Sequence, residues 1–253
     1  MGKLMIMTPA KFERLVQRRV EQELLKKNTD YEENLTLKQA DMAYLQNQIN
    51  PHFLYNTLEC IRGQALNEGI TDIADTVKAL AQFFRYSISM KDNVVSLEDE
   101  LNNLRNYISI QQYRFKNKFR LVIALEEAEK EQLLDCMIPK LSLQPIAENA
   151  IVHGFGDMTE NGLLTVRGYL SEDNVVIAVS DNGSGMDSAV LKRLNDKINS
   201  KVSFGENGHT GIGLQNVQKR IQILFGYEYG LFISSVPGMG TTVEMFFPLR
   251  HRT

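Results

Sequence analysis

The spacing of apolar residues changes near Lys118, and this change divides the chain into two kinds of structure. Before it, apolar residues recur at helical intervals over long stretches; after it, short β-rich runs alternate with helical patterns. The predicted strands are residues 119–125, 163–170, 174–180, 230–235 and 241–247, and the predicted helices between them are residues 141–152, 188–199 and 214–225. This order predicts an α/β layer structure with antiparallel pairs between neighbouring strands. We therefore expect an α+β chain, with a helical N-terminal part followed by an α/β sandwich.

The N-terminal stretch has the pattern of a coiled coil. Residues 11–50 are highly charged and contain neither glycine nor proline. Apolar residues at seven-residue spacing form two lines, Leu24, Tyr31 and Leu45, and Leu35, Met42 and Ile49. The pattern predicts a helix over residues 1–44 that pairs with a copy of itself, although a solvated helix packed on its own domain is the alternative. Pro51 interrupts the helical hydrogen bonds and predicts a kink just before His52.

Three shorter helical patterns follow the proline. The first carries an apolar stripe at helical spacing, Leu54, Leu58, Ile61 and Ala65. His52 lies roughly 120° or more around the helix from this stripe, so its side chain is expected to point away from the core. The second covers residues 71–90, and the third starts at residue 97 with Ser96 as its N-cap and continues through Leu101, Leu104, Ile108 and Tyr113. In a dimer these helices would form a four-helix bundle, so residues 45–118 are assigned to a helical dimerisation domain.

The composition argues against several classes of partner. A formal net charge of −3 gives no basic excess, so direct binding to nucleic acid or to anionic lipid is not expected. Cys60 and Cys136 are too few for a disulfide framework and have no metal-ligand spacing. No apolar run approaches the roughly 18 residues needed to span a bilayer. We therefore expect a soluble, cytoplasmic chain.

Glycine-rich motifs in the second half predict a nucleotide site. Asp181 closes an apolar strand, where its carboxylate can accept a hydrogen bond from an exocyclic amine such as adenine N6. Gly183 and Gly185 then allow the backbone to pass close to a base. A second glycine pair, Gly211 and Gly213, precedes a helix that begins near Leu214 and whose unpaired amides suit phosphates. An ordinary hairpin turn is the alternative for the first motif.

Asn149 is the candidate metal ligand. It lies in a predicted helix with apolar residues on one side, and its amide oxygen is a suitable ligand for Mg²⁺ already bound to phosphates. A buried or capping asparagine is the alternative.

The order and spacing of these motifs resemble the sensor histidine kinases of the LytS/YehU/YesM type, from about residue 45 to residue 248. Residues 48–59 resemble the phosphoacceptor box of that family. Residues 139–247 resemble its ATP-binding domain, which has the histidine-kinase/Hsp90/gyrase/MutL fold. The resemblance therefore implies that residues 1–44 are a signalling helix, that residues 45–118 also carry the phosphotransfer histidine, and that residues 119–253 are an ATP-binding catalytic domain.

The resemblance also implies roles for individual residues. His52 would be phosphorylated, Asn149 would chelate Mg²⁺ and Asp181 would bind the adenine of ATP. Other motif residues would shape the pocket and its lid, and these are Gly183, Gly185, Gly211, Gly213 and Leu214. Thr241 would lie near the adenine side. Asn56, one helical turn after His52, would contact the imidazole, the phosphoryl group or a hydrolytic water.

The chain departs from the family pattern at two places. Val152 stands where the family usually has a lysine, and His153 is either a partial replacement for that cation or a structural residue. Glu148 is expected on the water shell of the metal or in a salt bridge. No acidic residue directly follows His52, which leaves the proton acceptor unnamed.

The resemblance implies a homodimer, and a response regulator whose aspartate would receive the phosphoryl group. Members of the family commonly carry transmembrane and sensory segments, so the chain is expected to be either the cytoplasmic portion of a membrane-anchored sensor, which is favoured, or a soluble version. Two other functions stay open. An ATPase of the Hsp90 or gyrase kind would need a glutamate where this chain has Pro145, and a non-catalytic scaffold that binds nucleotide would account for Val152.

Overall fold

The computed structural model describes residues 51–88, 93–156, 158–199 and 212–251. The helices are α1 (Pro51–Asn67), α2 (Thr71–Ile88), α3 (Leu97–Arg114), α4 (Lys130–Asp135), α5 (Leu143–Asn149), α6 (Ser188–Asn199) and α7 (Ile212–Phe225). The strands are β1 (Val94–Ser96), β2 (Phe119–Leu125), β3 (Met137–Pro139), β4 (Gly162–Ser171), β5 (Asn174–Asp181), β6 (Gly230–Val236) and β7 (Gly240–Pro248). A 3₁₀ turn covers Glu127–Glu129 and a π-helical turn covers Ala150–Gly154.

A five-stranded sheet with the order β2-β4-β5-β7-β6 forms the centre of the α/β part. Strands β2 and β4 pair in parallel, and the remaining neighbours pair antiparallel. The central strand β5 is buried over five consecutive residues, Val175–Val179, which explains why the sequence shows a continuous apolar run rather than alternation. The strand ends at Asp181, so this carboxylate lies where the central strand leaves the sheet. The α+β class and the five main strands predicted from the sequence are confirmed.

Helix α3 belongs to the same apolar core as the sheet. The Ser96 side chain accepts a hydrogen bond from the Asp99 amide at 3.1 Å, which confirms the predicted N-cap. Leu97, Leu101 and Leu104 are buried in one cluster that also contains core residues of the sheet and of α5. The domain boundary proposed between residues 118 and 119 therefore falls between two elements of one core.

The structure corrects several details of the sequence prediction. Strands β1 and β3 were missed, and they pair antiparallel as a separate two-stranded sheet. The predicted helix over residues 141–152 is shorter, because α5 begins at Leu143 and gives way to the π turn at Ala150. Tyr113 is 53 % exposed. It lies five residues after Ile108, a step that turns it roughly 140° away from the buried face.

The described residues from Tyr55 onward form one compact unit, and the described residues before Tyr55 belong to a second unit. The predicted coiled coil over residues 1–44 lies outside the described residues, and so do the residues before Pro51 on which the predicted kink just before His52 depends. In α1, Leu58 and Ala65 are buried but Ile61 is 44 % exposed. The predicted four-helix bundle requires a second copy of the chain, so burial of Ile61 stays a prediction. No helix in the described ranges is long and apolar enough to cross a membrane.

Candidate functional site

A partly open cavity of about 240 Å³ lies at the end of the sheet where β5 ends. Its walls come from the sheet, from α5 with its π turn, and from α6 and α7. Most of the lining is apolar, with Ile146, Leu164, Val179, Met186, Val190, Leu194, Leu214, Ile233 and Val243. Polar groups converge on it from separate elements, and they are Asn149, His153, Asp181, Ser184 and Thr241. An apolar slot with a few convergent polar groups suits a flat aromatic ligand with polar edges.

Asp181 is the partly buried acidic group of this cavity. Its Oδ1 atom accepts hydrogen bonds from the Gly183 amide at 2.8 Å and from the Thr241 amide at 3.3 Å. Burial raises the pKa of the Asp181 carboxyl, and these two amides oppose the increase because they stabilise the ionised form. Both amides bond the same oxygen, so their bonds do not use the hydrogen-bonding capacity of Oδ2. The Thr241 hydroxyl is within 2.9 Å of the Ser235 hydroxyl, so the strands around the carboxylate are themselves cross-linked.

The glycines after Asp181 allow two backbone segments to touch. A Cβ atom at position 183 would lie 2.5 Å from the Cα atom of Gly154, too close for any side chain. Gly185 has a φ of +65° and lines the cavity, and a Cβ there would also meet the backbone of Val236 at 2.8 Å. The Ser184 amide donates to the Gly154 carbonyl at 3.0 Å. The turn is therefore held against the π turn at Gly183 and against the end of β6 at Gly185, by contacts that only glycine permits.

The π turn determines which side chains of the Asn149 segment reach the cavity. Asn149 ends α5, and the Phe155 amide then bonds the Ala150 carbonyl at 2.8 Å, five residues back. Asn149 and His153 both line the cavity. Glu148 is exposed and does not line it; it borders a neighbouring recess of about 280 Å³ together with Val152, Arg114 and Lys118. Such π turns within helices occur frequently at functional sites.

The start of α7 packs closely on α5. A Cβ atom on Gly213 would lie 3.2 Å from the Cβ atom of Pro145. Leu214 is buried and forms part of the apolar wall. Gly211 lies outside the described residues. The structure thus brings Gly213 and Leu214 to the helix that carries Asn149.

His52 and Asn56 lie one turn apart on α1, and both side chains are exposed. The predicted outward orientation of His52 agrees with this exposure. Phe53, its neighbour, is 70 % exposed.

Sequence reasoning missed the wall that α6 and its preceding loop provide. Met186, Val190 and Leu194 line the cavity. The sequence shows Val190 and Leu194 at helical spacing, but it does not indicate what their face of α6 packs against.

The donor set fits a magnesium ion that is carried mainly by phosphates. Among the described residues, no group of three or more His, Cys, Asp or Glu side chains is arranged to hold a metal ion. Mg²⁺ commonly keeps several waters and takes one or two protein oxygens together with substrate phosphates. The single amide oxygen of Asn149 at the cavity wall matches that requirement.

Two family profiles match the chain. Residues 40–119 match "Histidine kinase", and residues 139–251 match "Histidine kinase-, DNA gyrase B-, and HSP90-like ATPase". The chain is 36% identical over 229 residues to the sensor histidine kinase YesM of Bacillus subtilis, covering 90% of this chain and 36% of that protein. It is 34% identical to the sensor protein LytS of Oceanobacillus iheyensis, covering 85% of this chain and 35% of that protein. It is also 34% identical to the sensor histidine kinase YpdA of Escherichia coli, covering 83% of this chain and 34% of that protein. The chain therefore spans about a third of the length of these relatives.

Proposed function

Because the chain belongs to the sensor histidine kinases of the LytS and YesM type, we propose that it phosphorylates its own His52 from ATP and passes the phosphoryl group to an aspartate of a response regulator. The observation that supports this most strongly is the cavity in which Asn149, Asp181 and Thr241 meet beside an apolar slot. The exposed histidine on α1 supplies the acceptor.

Adenine binds in the apolar slot with its exocyclic amine toward Asp181. The Gly183 and Thr241 amides hold Oδ1 of that carboxylate, and the proposed acceptor for the adenine N6 amine is Oδ2. Gly185 and Leu214 shape the slot around the base. A carboxylate in this setting selects an amino group over a carbonyl at that edge of a purine, because a carbonyl would face it without a proton to share.

The phosphates extend along the segment of Asn149 and His153. Mg²⁺ bound to the phosphates and to the Asn149 oxygen would neutralise charge that develops on the transferred group. His153 lines the cavity and is the proposed partial substitute for the lysine that Val152 replaces. Glu148 lies outside the cavity, so a role for it requires the water shell of the metal.

The chemical step is an in-line displacement on the γ-phosphorus. A ring nitrogen of neutral His52 donates its electron pair to form the N–P bond, the bond between the γ-phosphorus and the bridging oxygen breaks, and ADP leaves with that electron pair. The ring then loses a proton to solvent. In the second step a carboxylate oxygen of the regulator donates an electron pair to the phosphorus, and the N–P bond breaks with its electron pair left on the ring nitrogen. The ring takes up a proton from solvent, which returns His52 to its starting form.

Asn56 is the proposed residue for controlling the lifetime of phosphohistidine. It lies one turn after His52 on the same helix face, where an amide can position a water. Asn56→Ala should change dephosphorylation more than autophosphorylation. An equal loss in both rates would contradict this role.

One observation favours a second candidate function, a dimeric scaffold that binds nucleotide without phosphoryl transfer. Val152 is 55 % exposed and provides no cation where the family usually has lysine. An ATPase of the Hsp90 or gyrase kind has less support, because Pro145 supplies no water-activating carboxylate. For the kinase, a homodimer and a receiver domain as partner are inferred from the family.

The test is incubation with γ-labelled ATP and Mg²⁺, followed by acid and base treatment of the labelled protein. We expect label that survives base and is lost in acid in the parent, and no label in His52→Gln or Asn149→Ala. ATP binding without any label in the parent would favour the scaffold.

A further inference from the structure

Glu100 is a buried carboxylate that the proposed chemistry does not use. It lies on α3 and is 1 % exposed. Its Oε1 atom accepts from the Leu141 amide at 2.5 Å, and its Oε2 atom accepts from the amides of Ser142 and Leu143 at 3.0 and 3.2 Å. Burial raises the pKa of the Glu100 carboxyl, and these hydrogen bonds oppose the increase. The carboxylate therefore holds the backbone at the point where α5 begins.

The fourth donor to Glu100 comes from a different helix. The Tyr86 hydroxyl, on α2, donates to Oε1 at 2.5 Å. Burial and the nearby Glu100 charge raise the pKa of the Tyr86 phenol, so it stays a donor. The Lys140 ammonium lies 4.7 Å from the centre of the Tyr86 ring and adds a cation–π contact. With two donors on each oxygen, the acceptor capacity of the carboxylate is filled.

This cluster, Tyr86 with Glu100 and residues 140–143, connects elements that the proposed reaction must coordinate. Leu143 begins α5 and Asn149 ends it, so the fixed point lies about 9 Å along a rigid helix from the metal ligand, at about 1.5 Å per residue. Arg220 of α7 donates to the Lys140 carbonyl, which ties the same segment to the helix after the second glycine motif. Tyr86 belongs to α2, which follows the His52-bearing helix α1 after a short turn.

We propose that Tyr86 and Glu100 are positioning residues that align the Asn149 helix with α2, the helix that follows the one carrying the acceptor histidine. Glu100 fixes where α5 starts, and Tyr86 fixes that start to α2. Loss of the Tyr86 hydroxyl leaves the three amide bonds to Glu100 in place, so ATP still finds an ordered site. The variant loses the hydrogen bond that joins α2 to the start of α5, next to the nucleotide site. That bond affects how the phosphoryl donor and acceptor are positioned, and it does not affect how tightly ATP binds.

A purely structural role would give a different pattern. A general loss of packing lowers ATP binding and transfer together, whereas a positioning role separates them in Tyr86→Phe. Glu100→Gln differs again, because one oxygen becomes an NH₂ group that meets backbone N–H donors and loosens the start of α5. This variant should weaken ATP binding as well as transfer.

The experiment compares the parent, Tyr86→Phe and Glu100→Gln, with Tyr113→Phe as a matched control, since Tyr113 is 53 % exposed on α3. Affinity is measured by calorimetry with a non-hydrolysable ATP analogue and Mg²⁺, and transfer by the rate of acid-labile labelling at saturating ATP. We expect Tyr86→Phe to keep the parental affinity and to label about tenfold more slowly, consistent with loss of one hydrogen bond to a charged group. Tyr113→Phe should match the parent in both measurements.

The inference rests on the proposed kinase activity, and the two can fail separately. A parent that binds ATP without labelling His52 contradicts the kinase activity. A labelled parent with a Tyr86→Phe variant that labels at the parental rate, or that loses affinity by the same factor as rate, overturns the positioning role. Amide hydrogen exchange over residues 141–149 gives a readout independent of catalysis. It should be faster in Glu100→Gln and unchanged in Tyr113→Phe, and unchanged exchange in Glu100→Gln would also overturn the inference.

Discussion

Asp181→Asn isolates the proposed contact with adenine, because the substitution keeps the shape of the side chain and changes one oxygen to an NH₂ group. The remaining oxygen can still accept from the Gly183 and Thr241 amides, which lie at 2.8 and 3.3 Å in the parent. The turn should therefore stay in place. Burial raises the pKa of the parental carboxyl, which means that the ionised form is disfavoured in the empty site. Stability of the nucleotide-free chain should not fall.

The affinity for ATP should fall because the NH₂ group cannot accept from the adenine amine. A hydrogen bond to a charged group contributes about 1.5–3 kcal/mol. At about 1.4 kcal/mol per factor of ten, this predicts an affinity roughly 10- to 150-fold weaker. Calorimetry with a non-hydrolysable ATP analogue measures the affinity, and a thermal melt without ligand measures stability.

Asp173→Asn provides a matched control, because Asp173 is exposed in the turn just before β5, whereas Asp181 ends that strand. It should bind ATP as the parent does. The reasoning is refuted if Asp181→Asn retains the parental affinity, or if the control loses as much.

Three further predictions follow from the same site. Gly183→Ala should weaken ATP binding about 5- to 150-fold, because the new Cβ would overlap the backbone of Gly154 and overpacking costs about 1–3 kcal/mol. Gly63→Ala, whose new Cβ meets nothing within 4 Å on α1, should keep the affinity and raise stability by about 0.5–1 kcal/mol in a denaturant titration. Adenosine, which has no phosphate to titrate, should bind more weakly as pH falls through the raised pKa of Asp181, since protonation removes the acceptor, and a pH titration of Asp181→Asn should lack this step. Val152→Lys should tighten ATP binding several-fold by restoring a cation at an exposed position, and an unchanged dissociation constant would argue against a phosphate at that position.

The sequence predicted those helices and strands in which one spacing of apolar residues continues over many residues. The buried strand β5 appears as an unbroken apolar run that ends in Asp181. Strands β1 and β3 have three residues each, too few for alternation to be recognised. Their pairing depends on contacts between segments about forty residues apart in sequence, which local patterns do not report.

Sequence motifs selected residues that line the cavity, but the sequence did not predict the backbone conformation around them. Asn149, His153 and Asp181 all line one cavity, and each was selected from its motif. The π turn after Asn149 was not predicted, because an apolar pattern over residues 141–152 does not distinguish one wider turn from continued α-helix. Glu148 precedes this turn and lies about 100° around α5 from Asn149, so it borders the neighbouring recess rather than the cavity. Glu100 was missed because its partners, Tyr86 and residues 141–143, come together only in the folded chain.

The most direct test of the account is to find which histidine carries the phosphoryl group. The sequence has four, at positions 52, 153, 209 and 251. After incubation with ATP and Mg²⁺, mass spectrometry of peptides kept at neutral or alkaline pH would locate the modification. The account predicts phosphohistidine at His52 alone, lost in Asn149→Ala. Phosphorylation at another histidine, or at His52 in a chain that lacks the Asn149 side chain, would contradict it.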